Sequence, residues 1–362
     1  MPRKTSGISR SCPNPECGES VTNIIRYGFF QLKRGKRRRY RCKACRKTFC
    51  STTDTPYYRV HGSRNTFAEA CHLSVEGASI STIARVKRKT WNTVYRWLER
   101  ARAACKAFNE NNLKQFDIKE PQADEIRTFV DDKKKTTWVM TLLETTSRLW
   151  PSCLVGKRSY RNIRRLFRDT LSRSECHERL LITTDGFKPY GWVIGRMFGS
   201  RCIYGQVIKT YRNGNASRVK RRLVIGTTRQ LDEALSDSED STKLNTAFVE
   251  RHNLTIRQGS AYLQRKSPGH ARQEENLAGH LHMFQCYYNF IRPHMGLKFG
   301  TEFRTPAMQA GIVRRNSAFD RCSRVRYSSR SEFWREMAAL RLRWPLNNSY
   351  RRKHPDTRKA KN

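Results

Sequence analysis

From residue 122 onward the chain alternates short apolar runs with segments whose apolar positions recur every three or four residues. The runs "ADEIRTFV", "TTWVMTLLE" and "RLWPSCLVG" (123–130, 136–144 and 148–156) predict three successive strands, the first two joined by the turn "DDKKK". "SYRNIRRLFRDTLSR" sets Ile163, Leu166, Phe167 and Leu171 on one stripe, which predicts an amphipathic helix. "RLLITTDG" reads as a short buried strand ending at Asp185, "KPYGWVIGRMFG" as a helix and "RCIYGQVIK" as a further strand. Upstream, residues 65–110 carry helical periodicity. Within 79–101, Ile80, Ile83 and Ala84 form one stripe, and Val94, Trp97 and Leu98 a second. A turn near Val86 to Lys89 separates them, the pattern of a helix-turn-helix. Residues 1–60 are turn-rich and cysteine-bearing, and no internal repeat is visible.

Charge changes this picture more than length does. With 362 residues, two or three domains are expected. A hydrophobic content of 37% suffices for at least one sizeable core. Yet 73 lysines and arginines face 31 acids, a net charge of +42, and self-repulsion on that scale calls for a polyanionic partner. The basic residues are spread along the chain rather than gathered on one amphipathic helix, so nucleic acid is expected and a membrane surface is not. No run approaches the roughly 20 apolar residues of a membrane span, and the N-terminus has no apolar signal core. Most of the 12 cysteines are scattered singly, which suits a reducing interior better than a disulfide framework. Two segments depart from the average: 209–229 holds seven lysines and arginines and no acid, and 232–240 ("DEALSDSED") is acidic, a loop or short helix. Residues 311–362 form a basic tail, with 15 lysines and arginines against 4 acids.

Four cysteines do have ligand spacing. "CPNPEC" supplies Cys12 and Cys17, and "RCKAC" supplies Cys42 and Cys45, with Cys50 as an alternative to Cys45. Such paired thiols converge on one tetrahedral zinc ion, and four thiolates leave no open position, so this zinc is structural. The intervening "RYGFFQLKRGKRRRYR" alternates apolar and basic residues as a hairpin does. In the helix-turn-helix, Asn92, Thr93 and Arg96 face outward and can enter a major groove; an ordinary helical hairpin is the plainer alternative.

Three acids are spaced for metal-assisted chemistry. Asp124 lies near the start of a strand, Asp185 ends a later one, and Glu250 lies on a helix within "NTAFVERHNLTIRQ". Acids so placed can converge on two Mg²⁺ ions, with Mn²⁺ as a substitute, and hold both oxygens of an in-line displacement. Taken singly each has an ordinary reading: a strand-edge acid, a turn, a surface ion pair. Glu125 is a rival ligand, expected on the opposite face of the sheet because side chains alternate. Glu239 and Asp240 are alternatives to Glu250, while Asp131 and Asp132 read as turn residues. On the helix, Glu250, Asn253, Leu254 and Arg257 share a face, which makes Asn253 and Arg257 available for phosphate. Arg251 and His252 diverge and are expected to touch DNA separately. Arg218, Lys220, Arg221 and Arg222 in the basic insert are further phosphate contacts.

The order of "CPNPEC…RYRCKACRKTF", "NTVYRWLERA", "DEI", "TDG" and "ERHNLTIRQ" resembles DDE transposases of the insertion-sequence-one kind, over residues 10–266. The resemblance implies an α/β fold with a ribonuclease-H-like core, a mixed five-stranded sheet flanked by helices. It implies a catalytic triad of Asp124, Asp185 and Glu250, Mg²⁺-dependent cleavage at terminal inverted repeats to free 3′-OH ends, and their transfer to target DNA. Residues 1–62 would be the zinc ribbon, 63–115 the helix-turn-helix, 116–310 the catalytic domain with its basic insert, and 311–362 the tail. A homodimer or larger assembly, and a cytoplasmic, nucleoid-associated location, are the corresponding expectations. "YYNFIRPHMGL" resembles the end of other DDE integrase cores, where Asn289, Arg292 and His294 would stabilise the core. The rivals are a catalytically inactive DNA-binding regulator and a nuclease that only hydrolyses.

Overall fold

The computed structural model describes residues 12–14, 16–17, 23–31, 35–53, 55–60, 62–175, 179–212, 215–238, 240–267 and 269–317. Glu239, and the tail expected from 311 onward, lie outside these residues, the tail from residue 318. The described residues before Asp54 form one compact unit and those from Thr55 onward a second.

In the first unit, β1 (Ile24–Gln31), β2 (Lys36–Cys42) and β3 (Thr48–Cys50) make an antiparallel sheet in that order. Ile24, Cys42, Phe49 and Cys50 are its buried residues, and Tyr40 stacks on Phe49 with centroids 5.7 Å apart. The β1–β2 register shifts between Arg26 and Phe29, where Gly28 adopts a φ of 72° that a side chain would resist.

The second unit starts with α1 (Arg64–Val75), α2 (Ile80–Val86) and α3 (Trp91–Asn112). Ser63, Ser79 and Thr90 cap them, each side chain accepting from an amide three residues on. Arg88, at a φ of 48°, turns the chain between α2 and α3. Then come β4 (Phe116–Asp117), β5 (Pro121–Phe129), β6 (Thr136–Glu144), β7 (Ser152–Gly156), α4 (Tyr160–Leu171), β8 (Ser174–Glu175), β9 (Leu180–Thr184) and α5 (Lys188–Phe198). β10 (Cys202–Arg212), β11 (Asn215–Ile225), α6 (Thr228–Ser236), α7 (Ala247–Gln258) and α8 (Glu274–Cys286) complete the main framework.

The main sheet runs β11-β10-β9-β5-β6-β7, with β9 parallel to both β5 and β10 and the other pairs antiparallel. It has six strands where five were expected, because the basic insert forms a strand: β11 pairs with β10. The acidic stretch after it enters α6. One face of the sheet packs Ile126, Val139, Leu143 and Trp150 against α7, α8 and the three N-terminal helices. The other packs Ala123, Met140, Leu142, Ile182 and Tyr204 against α4 and α5.

The first face joins the N-terminal helices to the sheet. Arg102 on α3 donates to Asn276 Oδ1 (3.1 Å) and to the Tyr262 hydroxyl (3.0 Å), and Asn109 donates to the His282 carbonyl (2.9 Å). One buried cluster therefore runs from α1–α3 into the sheet. Asn289 is fully buried and binds both backbone polar groups of Trp150, accepting from its amide (3.0 Å) and donating to its carbonyl (2.9 Å). His294 Nε2 lies 3.2 Å from the Tyr288 carbonyl. Among the described residues, no helix is long and apolar enough to cross a membrane.

Candidate active site and metal centres

Asp124 projects from β5 opposite Thr141 of β6, toward α7. Asn253 on α7 accepts from the Thr141 hydroxyl (2.9 Å) and donates to Asp124 Oδ2 (2.8 Å), which fixes the carboxylate's orientation. Asp185 follows the last residue of β9, and its Oδ1 accepts from the Phe187 amide (2.9 Å) at the start of α5. Glycine follows Asp185 because a Cβ at Gly186 would lie 2.9 Å from Ile208 Cγ1 on β10. Glu250, in the first turn of α7, accepts from the Thr246 hydroxyl (2.5 Å) and pairs with Lys209 Nζ of β10 (2.5 and 2.6 Å). Asp124, Asp185 and Glu250 all line one cavity of about 1040 Å³, together with Arg158, Lys209, Arg257 and Arg265.

The tightest acidic group differs from the expected one. Carboxylate oxygens of Asp124, Glu125 and Asp185 lie within 4.8 Å of one another, and Glu250 is not part of that cluster. Asp124 and Glu125 do leave β5 on opposite faces, since Ala123 packs toward α4–α5 and Ile126 toward α7–α8. But β9 pairs with β5 only at Gln122 and Ala123, so no neighbouring strand separates Glu125 from Asp185. Arg158 draws the two together, donating to Glu125 Oε2 (2.9 Å) and Asp185 Oδ2 (3.0 Å). Its guanidinium lies 3.6 Å from the ring centroid of Phe187 and 4.9 Å from that of Trp138.

Burial raises the Asp124 carboxyl to about 6, helped by the nearby charges of Asp185 and Glu250 and opposed by hydrogen bonds from the Glu125 amide and Asn253. Burial likewise raises Glu125 to about 7 against the pull of Arg158. Two oxygens in cis on one magnesium ion sit about 3 Å apart and two in trans about 4.2 Å. The three acids already hold their oxygens within 4.8 Å of one another, and Glu125 Oε1 is buried among them. The donor set thus suits a hard divalent cation.

The four expected thiols also converge. Cys12, Cys17, Cys42 and Cys45 present sulfurs within 4.8 Å of one another, with Cys12 to Cys45 at 3.5 Å and Cys17 to Cys42 at 3.7 Å. A tetrahedral zinc ion with bonds of about 2.3 Å holds its sulfurs about 3.8 Å apart. The Asn14 amide donates to Cys12 Sγ (3.5 Å), and a hydrogen bond from the Lys47 amide lowers the Cys45 thiol to about 7. Cys50 bonds instead to Thr52 and Thr53. The cluster can hold zinc.

Several expected nucleic-acid contacts are placed otherwise. His252 is buried, with centroids 4.7 Å from Trp150 and 4.6 Å from Tyr288, and is not presented to a DNA backbone. That burial pushes it down to about 3. Asn253 is buried in its bonds to Asp124 and Thr141 rather than free for phosphate. Thr93 is tied into the Thr90 cap, hydroxyl to hydroxyl at 2.8 Å, while Asn92 and Arg96 are exposed on α3. Arg251 is exposed, and Arg257 is half-buried on the cavity wall. On β11, Arg218, Lys220 and Arg222 share one face by alternation; Arg221 takes the other and donates to the Leu244 carbonyl (2.8 Å). Asp240 pairs with Arg148 (2.6 Å), away from the acidic cluster.

Sequence reasoning missed Arg158 and Lys209 as partners of the acids. Neither residue sits in a motif, and only the folded sheet brings β10 beside α7 and the chain before α4 beside β9.

No family model matches the chain, and no curated protein matches it. Among solved structures, it is similar to a piggyBac transposase in a synaptic complex with hairpin DNA. The TM-score is 0.32 and the identity 8%, over 78% of this chain and 73% of that one. A likeness that loose leaves the chemistry to be argued from the residues of this chain.

Proposed function

We propose that this protein is a DDE-type transposase of the insertion-sequence-one kind. In this reading it has a ribonuclease-H-like catalytic core, and it cleaves DNA at transposon ends and joins the resulting 3′-OH groups to target DNA. The observation that carries the reading is the meeting of Asp124, Asp185 and Glu250, 61 and 65 residues apart in sequence, on one cavity walled by Arg158, Lys209, Arg257 and Arg265. Carboxylates suit a divalent cation and the surrounding cations suit phosphates, which is the pairing that phosphodiester chemistry requires.

Asp124, Asp185 and Glu250 would hold two magnesium ions, which when bound activate the attacking oxygen and stabilise the leaving one. Asn253 keeps Asp124 aimed at the cavity, and the Phe187 amide does the same for Asp185. Glu125 anchors Arg158, a rigid cation between two aromatic rings with Asp185 at its tip. Lys209 neutralises Glu250 and can turn to a phosphate once that acid has a metal partner. Arg257 and Arg265, on the cavity wall, would receive the DNA backbone. Asn92 and Arg96 on α3, Arg251 on α7, and Arg218, Lys220 and Arg222 on β11 supply exposed groups for duplex contacts. A structural zinc on Cys12, Cys17, Cys42 and Cys45, and assembly of two or more copies to join two ends, belong to the same proposal.

The test is incubation of purified protein and Mg²⁺ with end-labelled donor DNA, scored for joined products. Asp185→Ala is expected to reduce cleavage and joining at least about 10³-fold while end binding stays within a few fold. Hydrolysis without joining of pre-cleaved ends would identify a nuclease. Binding without either reaction would identify a DNA-binding regulator.

A further inference from the structure

The ribbon hairpin carries a second surface that its thiols do not use. Along β2, Tyr40 and Cys42 turn toward the small core, so Arg37, Arg39 and Arg41 turn the other way. The rings of β1 meet them there. The Arg39 guanidinium lies 4.9 Å from the Tyr27 ring centroid and 5.3 Å from that of Phe30, and Arg41 lies 5.1 Å from Tyr27. Arg39 Nε also donates to the Tyr27 carbonyl (2.9 Å), at the bulge where Gly28 bends the strand. On the hairpin rim, Arg38 lies 4.0 Å from the Phe29 ring. On this face Tyr27 is 39% exposed and Phe30 half-buried, while Phe29 and Arg38 belong to the face of Tyr40. Residues 24–42 contain eight lysines and arginines and no acid.

We propose that this face is a platform for an unpaired DNA strand, with bases stacking on Tyr27 and Phe30 and phosphates meeting Arg39 and Arg41. Two features select this occupant. An acid-free row of guanidinium groups demands a polyanion. Rings interleaved with those groups, Tyr27 exposed and Phe30 half-buried, gain most from base faces, which a duplex hides in its own stack and a single strand offers. A protein partner would need acids and an apolar patch free of cations, and this face interleaves every ring with arginine. The choice of DNA rests on the function proposed above, in which strands part at the transposon ends.

The test uses the full-length chain without magnesium, titrated against a labelled single strand and a duplex of the same length, with zinc content measured for every variant. Tyr27→Leu is expected to weaken single-strand binding about 10-fold and duplex binding less than about 2-fold, and Tyr27→Phe to keep both. Arg41→Gln, which leaves the rings in place, should weaken single-strand binding and lower its salt dependence. Equal losses on single strand and duplex overturn the proposal. So does a Tyr27→Phe variant as weak as Tyr27→Leu, a wild-type affinity unchanged by all three variants, or tighter binding of an RNA of the same sequence. No cleavage is needed, so a chain that fails to join DNA ends sinks the catalytic proposal and leaves this one to its own result.

Discussion

Among the described residues, the smaller unit buries Ile24, Cys42, Phe49 and Cys50, whereas the larger unit buries three clusters, one around Trp150, one around Tyr190 and Phe167, and a small one of Leu181, Ile203, Val207 and Leu244. Each buried apolar side chain contributes about 1.5–3 kcal/mol, and each ordered backbone residue costs about 1–2 kcal/mol. So few buried side chains offset little of that cost, and a zinc ion on the four thiols would supply the remainder. The larger unit has no such need and uses polar groups inside its cores to fix a particular arrangement. Asn289 clamps the Trp150 backbone, Asn109 ties α3 to α8, and Asn253 aims Asp124. One region joins a thiol cluster that can hold a metal to few buried side chains, and the other relies on burial with polar pins.

The largest expected effect separates the two regions. Stripping zinc with a chelator, or making Cys42→Ser, should abolish hydrogen-exchange protection across residues 24–50. Protection in α3, β6 and α8 should stay unchanged, and exchange with mass-spectrometric readout checks this. A ribbon that stays protected without zinc breaks the comparison.

A smaller effect lies in the polar pins. Asn289→Ala leaves the Trp150 amide and carbonyl buried without partners and should cost about 2–3 kcal/mol in urea denaturation, with zinc content unaltered. A loss under about 0.5 kcal/mol would show that Trp150 packing alone sets the arrangement.

The effect that is smallest near neutral pH is a pH slope. Burial raises Glu144 to about 7, although the Glu120 and Lys119 amides donate to it. Its folded pKa exceeds its unfolded value of about 4.5, so the folded state takes up a proton as pH falls through this window. Glu144 therefore adds stability on acidification from 7 toward 4.5 and subtracts it above 7. Buried His252 and His280, each pushed down to about 3, and His282 and His294, each pushed to about 4, act in the opposite sense. Below about 6.5 they favour the unfolded chain. Glu144→Gln removes the compensating carboxyl, so stability should fall more steeply than in wild type between pH 7 and 5, by about 1.4 kcal/mol per pH unit. Denaturation curves at pH 7.5, 6 and 5 measure the difference. Parallel slopes would mean that Glu144 does not titrate in this range.

What sequence fixed and what it left open follow from the range of the forces involved. Strand and helix patterns are local: β6 spans Thr136–Glu144, the predicted 136–144, and α4 carries the expected Ile163–Leu166–Phe167 stripe. Ligand spacing is nearly local too, which is why four thiols separated by at most 33 residues could be grouped on sight. The basic insert carried no element assignment from its charge, and pairing with β10 supplies the hydrogen bonds that make it strand. His252 misled because helix geometry gives its direction and not its neighbours; Trp150 and Tyr288 come from elsewhere in the chain and enclose it. Sequence alone determined which acids and thiols were available and on which elements they ride. Only tertiary structure decided that Glu125 joins Asp124 and Asp185, that Arg158 binds two of them, and that Lys209 holds Glu250. Those pairings depend on where β9 stops and which strand lies beside α7, and no local pattern encodes either.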